Sequence, residues 1–275
     1  PRVRRQRQMC IRDRTKMVDE GWSYEDALKT AQELGYAESD PTNDVEGIDA
    51  AYKAVILSQF GFGATIDFDD VTHKGITNIS TDDVAVAQEL GYVIKLVGDV
   101  REVESGISAE VSPTFLPKNH PLASVNDVMN AVFVESIGIG ESMYYGPGAG
   151  QKPTATSVLA DIIRIARRLS DGNVGKPFNE FRRDLPLANP ADVKSNYYFA
   201  LDTPDEKGKI LHLSEIFNSE DISFEQVLQQ KANGTTARIV VITHAMSKTQ
   251  LKAVTEKLEA AEDFTVVNTL KVLSN

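Results

Sequence analysis

The sequence predicts an α+β protein: a mixed or antiparallel sheet with helices on one side, followed by a smaller βαββαβ unit of ferredoxin-like type. Three observations carry this reading. YVIKLVGDVREV, GISAEVSPTFLP and AVFVESIGIGESMYY follow one another with the alternation and β-branched content of strands, which makes them neighbours in one sheet. Apolar residues at helical spacing occur on both sides of this run. Beyond a Pro-bearing stretch at 171–194 the order is strand, helix, strand, strand, helix, strand, that of the split βαβ motif.

In chain order, residues 1–14 come first and stand apart. PRVRRQRQMCIRDR holds six Arg and one Asp, lacks periodicity and caps, and is expected to be a non-native basic tail outside the fold. Ser23 then caps a segment in which Tyr24, Ala27, Leu28, Ala31 and Leu34 recur at helical spacing, and Gly35 ends it. The loop GYAESDPTNDVEG is rich in turn formers and carboxylates. Residues 49–60 read as a second helix, apolar nearly all round, and such a helix belongs in an interior. Residues 81–90 form a short helix ahead of the three strands, and YGPGAGQKPTA is a glycine loop opening a long helix over 154–169. Pro177, Pro186 and Pro190 mark 171–194 as a linker. Thereafter NYYFALD is strand, 210–217 helix, ISFEQVLQQ strand, Asn233-Gly234 a hairpin turn, ARIVVITH strand, 248–258 helix and FTVVNTLKVL strand. The resulting division is a tail at 1–14, a first domain at 15–170, a linker at 171–194 and a second domain at 195–275, consistent with about two domains for this length.

Hydrophobic residues at 41% and charged ones at 25% exclude disordered, collagen-like and coiled-coil chains. No apolar run approaches a membrane span of about 18 residues and no signal-type segment opens the chain, so a cytoplasmic protein with no membrane partner is expected. The formal net charge is −11; with the tail set aside, 23 basic face 39 acidic residues, a net of −16. Such a body repels nucleic acid. Cys10, the single cysteine, lies in the tail, so the body has neither disulfide nor thiolate chemistry. The four histidines lack paired spacing, and no metal site is expected. Neither a G-x-S-x-G elbow nor a P-loop occurs, which leaves hydrolases and nucleotide triphosphatases without support.

Two places are candidates for chemistry. Asp49 and Lys53 are four apart and share one helix face. On a surface helix they would be a routine ion pair, but here Ala50, Ala51, Tyr52, Ala54, Val55, Ile56 and Leu57 surround them. Desolvation lowers a lysine's pKa while a neighbouring carboxylate raises it, a balance that suits a proton-transferring amine. Upstream, Glu38, Asp40, Asp44 and Glu46 crowd the loop leading in, either as a solvated acidic turn or as acceptors for an ammonium group. The second place is Gly146-Pro147-Gly148-Ala149-Gly150, where backbone N–H groups can approach a phosphate or cofactor, or which is a plain tight turn. It does not follow a strand of a βαβ unit and is not the dinucleotide fingerprint.

LGYAESDPTNDVEGIDAAYKAVIL, GITNISTDDVAVAQELGYVIKLVG and HPLASVNDVMNAVFVESIGIGESMYYGPGAGQKPTATSVLADI together resemble the catalytic region of homoserine dehydrogenase, over about residues 15–170. The βαββαβ stretch at 195–275 resembles the ACT regulatory domain of many bacterial members. The resemblance implies NADP- or NAD-dependent interconversion of L-homoserine and L-aspartate 4-semialdehyde, on the route to threonine, methionine and isoleucine. It matches the family's proton-transferring lysine to Lys53, its partner acid to Asp49, the substrate-binding acids to Glu38 and Asp44, and the cofactor-facing glycines to Gly148 and Gly150. It also implies a homodimer or higher homo-oligomer and a threonine effector. The family's dinucleotide-binding domain would precede Thr15, so a fragment inactive alone is expected, and Asn43 stands where some relatives carry an acid. The competing readings are a non-catalytic amino-acid-sensing module, which has no need of the Asp49 and Lys53 pair, and a nucleic-acid binder using the Arg tail, which the acidic body opposes.

Overall fold

A computed structural model of the chain describes residues 2–6, 42–126, 129–148, 150–173, 181–233 and 235–274. The first part holds strand β1 (Arg2–Gln6), helices α1 (Thr42–Val45) and α2 (Ile48–Phe62), strand β2 (Thr72–His73) and helix α3 (Thr81–Glu89). Strands β3 (Tyr92–Val103), β4 (Gly106–Pro117), β5 (Met129–Ser136) and β6 (Gly140–Pro147) and helix α4 (Gln151–Ser170) complete it. The second part runs β7 (Lys194–Pro204), α5 (Lys209–Asn218), β8 (Phe224–Asn233), β9 (Thr236–Thr243), β10 (Met246–Ser247), α6 (Lys248–Ala260) and β11 (Thr265–Val272). The helix proposed to open at Ser23 lies outside the described residues.

All these strands belong to one mixed sheet, in the order β6-β5-β1-β3-β4-β11-β7-β9-β8, with β2 on β4 and β10 on β7. β2 and β11 run parallel to β4, and the other pairs are antiparallel. The β3–β4 hairpin pairs over its full length, from Tyr92 opposite Pro117 to Val103 opposite Gly106. Gly106, at φ 144°, is required there, because a Cβ would overlap the carbonyl oxygen of Pro186. That carbonyl accepts from the Ile107 N–H at 2.9 Å, and Arg183 grips Glu102 through two bonds of 2.6 and 2.7 Å, so residues 183–188 lie along this hairpin.

Two expectations are corrected here. The tail at 1–14 was to stand outside the fold, yet Arg2–Gln6 pairs as β1 between β3 and β5. Pairing uses backbone N–H and C=O groups that every non-proline residue carries, so a slot between two strands makes little demand on side-chain pattern. Helix α2 was to be interior, yet only Ala50, Ala51, Ala54, Ser58 and Phe62 are buried, and Tyr52, Ile56 and Phe60 are 50–55% exposed. Small residues let the helix lie close on β3 and β4, and Tyr52, Ile56 and Phe60 point away from the sheet.

The core has several parts. One lies under α2, with Ile66, Val71, Leu96, Ile107 and Val111; another lies between the second part's helices and its sheet, with Phe199, Leu201, Leu213, Phe217, Ile239 and Val241. A third joins the two parts: Val86 and Ala87 of α3 pack with Phe115, Tyr198, Ala200, Val240, Ile242 and Leu270. The sheet face formed by Tyr198, Ala200, Val240 and Ile242 is therefore covered within the chain. Among the described residues, no helix is long and apolar enough to cross a membrane.

Candidate functional site

Gly47 takes the left-handed conformation, φ 77°, and turns α1 into α2; a Cβ on it would press on the Val111 side chain at 3.3 Å. The corner is held from outside by the Ile76 N–H, which donates to the Val45 carbonyl at 2.9 Å. From it α2 starts with Asp49 in the first turn, where the helix dipole favours a carboxylate. One turn on, the Lys53 ammonium forms an ion pair with the Asp49 carboxylate. Their side chains are 21% and 30% exposed, so Lys53 is half-buried rather than buried.

The pair shares its helix face with Tyr52, Ile56 and Phe60, at the i+3, i+7 and i+11 positions from Asp49. Tyr52 stacks on Phe68 at 4.5 Å between centroids, and Phe68 meets the His73 ring at 5.3 Å. A charged pair thus stands on an apolar, outward-facing surface. A ligand covering that surface would strip water from Lys53 and strengthen every interaction it makes.

Asp44 lies on α1, half-buried, one corner upstream of the pair. Glu46 in the corner accepts from the Thr77 hydroxyl at 3.5 Å. Glu38 and Asp40 lie outside the described residues. Gly148 and Gly150 stand apart, after edge strand β6, three strand spacings or about 14 Å from β3 in the sheet. Gly148 sits so close to Asn130 that a Cβ would displace that side chain, whereas Gly150, at φ 114°, is open apart from Pro153 and begins the 20-residue α4. Exposed backbone ahead of a helix N-terminus fits the approach of a cofactor's amide or phosphate. Among the described residues no three His, Cys, Asp or Glu are grouped to hold a metal ion.

The second part carries a cavity of about 610 Å³ at the β7–α5 turn, lined by Asp202, Thr203, Asp205, Glu206, Thr236 and Asp263 among others. The Thr203 hydroxyl on its wall is buried and makes no hydrogen bond. Asp263 accepts from Lys209 at 2.6 Å and pairs with His212 at 2.8 Å; the Lys209 bond is the main cause holding its carboxyl below the usual range.

Sequence reasoning missed a buried polar cluster between the two parts. Asp83, 1% exposed, accepts from the Tyr198 hydroxyl, the Asn268 amide and Ser80. Burial, then the Asp83 charge, raises the Tyr198 hydroxyl far above its ordinary pKa, which keeps it a donor. The Ser80-x-x-Asp83 capping box was the available signal, but a capping box announces only a helix start.

A family model described as homoserine dehydrogenase matches residues 14–163. The homoserine dehydrogenase of Lactococcus lactis subsp. lactis strain IL1403 is 60% identical over 261 residues, covering 95% of this chain and 61% of that protein. The crystal structure of a homoserine dehydrogenase from Thiobacillus denitrificans superposes with a TM-score of 0.91 at 33% identity, covering 99% of this chain and 64% of that one. A hyperthermophilic archaeal homoserine dehydrogenase in complex with NADPH matches with a TM-score of 0.50 at 29% identity, over 61% of this chain and 47% of that one. The chain thus spans about three fifths of the length of the Lactococcus relative.

Proposed function

Because the chain belongs to the homoserine dehydrogenase family, we propose that it acts in the interconversion of L-homoserine and L-aspartate 4-semialdehyde with NADP or NAD. The Asp49 and Lys53 pair on the outward face of α2 carries the proposal. Oxidising an alcohol carbon requires its hydroxyl proton to leave as hydride departs, and the Lys53 amine accepts that proton. Asp49 orients the amine from one turn upstream. Glu38 and Asp44 hold the substrate ammonium, and Gly148 and Gly150 give the cofactor a backbone surface. NADP or NAD, when bound, supplies the hydride acceptor. The reaction is cytoplasmic and serves the synthesis of threonine, methionine and isoleucine.

The second part reads as a ferredoxin-like ACT module that senses threonine. Its strand order, β11-β7-β9-β8, and the cavity at the β7–α5 turn support this reading. The acidic lining suits an amino acid's ammonium, the partnerless Thr203 hydroxyl suits a polar side chain, and Gly208 at the start of α5 opens backbone N–H groups to a carboxylate. Self-association as a homodimer or higher homo-oligomer is supported by apolar surface: Ile137 and Ile139 on the β5–β6 turn and Val158, Leu159, Ile162 and Ile165 on α4 are all more than half exposed.

The test joins this chain to the portion of the Lactococcus relative that the match leaves uncovered and follows homoserine-dependent reduction of NADP and of NAD. Turnover is expected. A soluble chimera that binds either nucleotide yet oxidises no homoserine would reject the activity. Calorimetry of the chain with threonine should give saturable heat, and light scattering should give at least twice the chain mass; no heat would remove the effector and a monomer the oligomer.

A further inference from the structure

Strand β11 carries an irregularity between Val266 and Asn268. Strict alternation would place residues 266, 268, 270 and 272 on one face. Instead Val266 packs toward the second part's own helices, while Leu270 and Val272 pack toward α3. A bulge of this kind re-aims the side chains beyond it, and here it turns Asn268 onto the α3 side. Asn268 is 5% exposed, and its amide is fully used: it donates to the Asn78 carbonyl at 3.0 Å and to Asp83 at 2.9 Å, and accepts from the Thr269 N–H at 2.9 Å. A buried amide is costly to keep in an apolar layer unless every bond is made. One residue on, the Thr269 carbonyl accepts from the Lys74 ammonium at 3.1 Å.

β11 is therefore fastened twice to residues 74–78, and that same segment fastens the corner of the candidate site. The Ile76 N–H donates to the Val45 carbonyl at 2.9 Å, and the Thr77 hydroxyl donates to Glu46. Gly75 lies so close to Val45 and Glu46 that a Cβ would overlap their backbone atoms. The Gly47 carbonyl in turn accepts from the Ala51 N–H at 2.9 Å in the first turn of α2, beside Asp49.

We propose that Asn268 is a positioning residue for the Asp49 and Lys53 site: from β11 it seats residues 74–78, which seat the Val45–Gly47 corner from which α2 starts. The same strand begins at Thr265, which lines the acidic cavity, so cavity and corner share one rigid element. Only the naming of that site as catalytic rests on the proposed dehydrogenase activity.

The test is amide hydrogen exchange on the full chain. Asn268→Ala should speed exchange at Ile76 and Ala51 by about tenfold, the scale of a lost bond to a charged group, while Phe199 and Val241 inside the second part stay protected. Val266→Ala, on the same strand but packed on the other side, should loosen the second part without that pattern. Gly75→Ala should open the corner directly, raising Ala51 exchange with Asn268 intact. A uniform rise at all amides in Asn268→Ala, no rise at Ile76 and Ala51, or the same pattern from Val266→Ala would overturn the proposal. In the chimera, Asn268→Ala should raise the homoserine KM several-fold and leave the nucleotide KM unchanged, a split that a smaller folded fraction does not produce. An unchanged homoserine KM in an active chimera would overturn the link to the site. An inactive parent chimera with the expected exchange pattern would sink the dehydrogenase reading and leave the positioning role supported.

Discussion

The chemistry proposed for Lys53 would come from its surroundings. An i,i+4 ion pair on an exposed helix contributes little, because water screens it and two long side chains must be ordered. At this position the pair is half-shielded and its face continues into the exposed Tyr52, Ile56 and Phe60. Lys53→Ala in the chimera should lower kcat by about 10² or more, the usual scale for a proton-transfer group. Asp49→Asn should lower it less, since the amine remains and loses only its orienting charge. Steady-state rates across pH check both, and a Lys53→Ala variant with unchanged kcat would reject the proton-transfer role.

At the scale of elements, α2 separates what composition can say from what it cannot. Its apolar content is plain in the sequence, but a count of apolar residues does not say which side meets the sheet. The signal was size: Ala50, Ala54 and Ser58 recur every four residues, a stripe that lets backbone approach backbone, while Tyr52, Ile56 and Phe60 occupy the other side. Ala54→Leu, at 1% exposure, should therefore cost about 1–3 kcal/mol by overpacking, and Ile56→Ser, at 53% exposure, should stay within about 0.5 kcal/mol. Urea titrations would distinguish them; equal losses would mean that the helix is packed on both sides. β3 and β4 were legible to the residue because they alternate and end at turn formers. The order of the second part was legible for the same reason. Their union into one sheet was not, since only Lys271 and Val272 pair with β4, a contact with no local pattern. The Asp49 and Lys53 pair was legible because helical spacing fixes it; the Asn268, Asp83 and Tyr198 cluster was not, because it joins residues far apart in the chain.

At the scale of the whole molecule, the two parts meet through charges taken out of water. Lys271 of β11 pairs with Asp99 at 2.7 Å and with Glu110, and Lys248 reaches Glu110 at 2.8 Å. Arg101 stands 3.6 Å from Asp99 through Nε and 3.7 Å from Glu110 through Nη2, while Nη1 donates to the Lys194 carbonyl and Nη2 to the Ser195 hydroxyl. Burial pushes the pKa of Glu110 up, but Lys271 and Lys248 together outweigh burial and hold it down at about 2, against 4.5 for the unperturbed group. Because the folded value lies below the unfolded one, the unfolded chain binds the extra proton between those limits. The stabilisation is thus complete above about pH 4.5 and drains away as pH falls toward 2. Glu110→Gln should be markedly less stable than the parent at pH 7, since it leaves the buried Lys271 with Asp99 alone and takes from the half-buried Lys248 its carboxylate. The gap should narrow steadily from pH 4.5 to pH 3, as Glu110 of the unfolded parent takes up its proton while the folded one stays ionised. Other acids whose pKa is held down by their partners, such as Asp263 beside Lys209 and Glu102 beside Arg183, are common to both proteins and cancel in the difference. Denaturation of parent and variant at a series of pH values measures the gap directly, and a gap that stayed constant down to pH 3 would mean that the lysines do not hold Glu110 ionised.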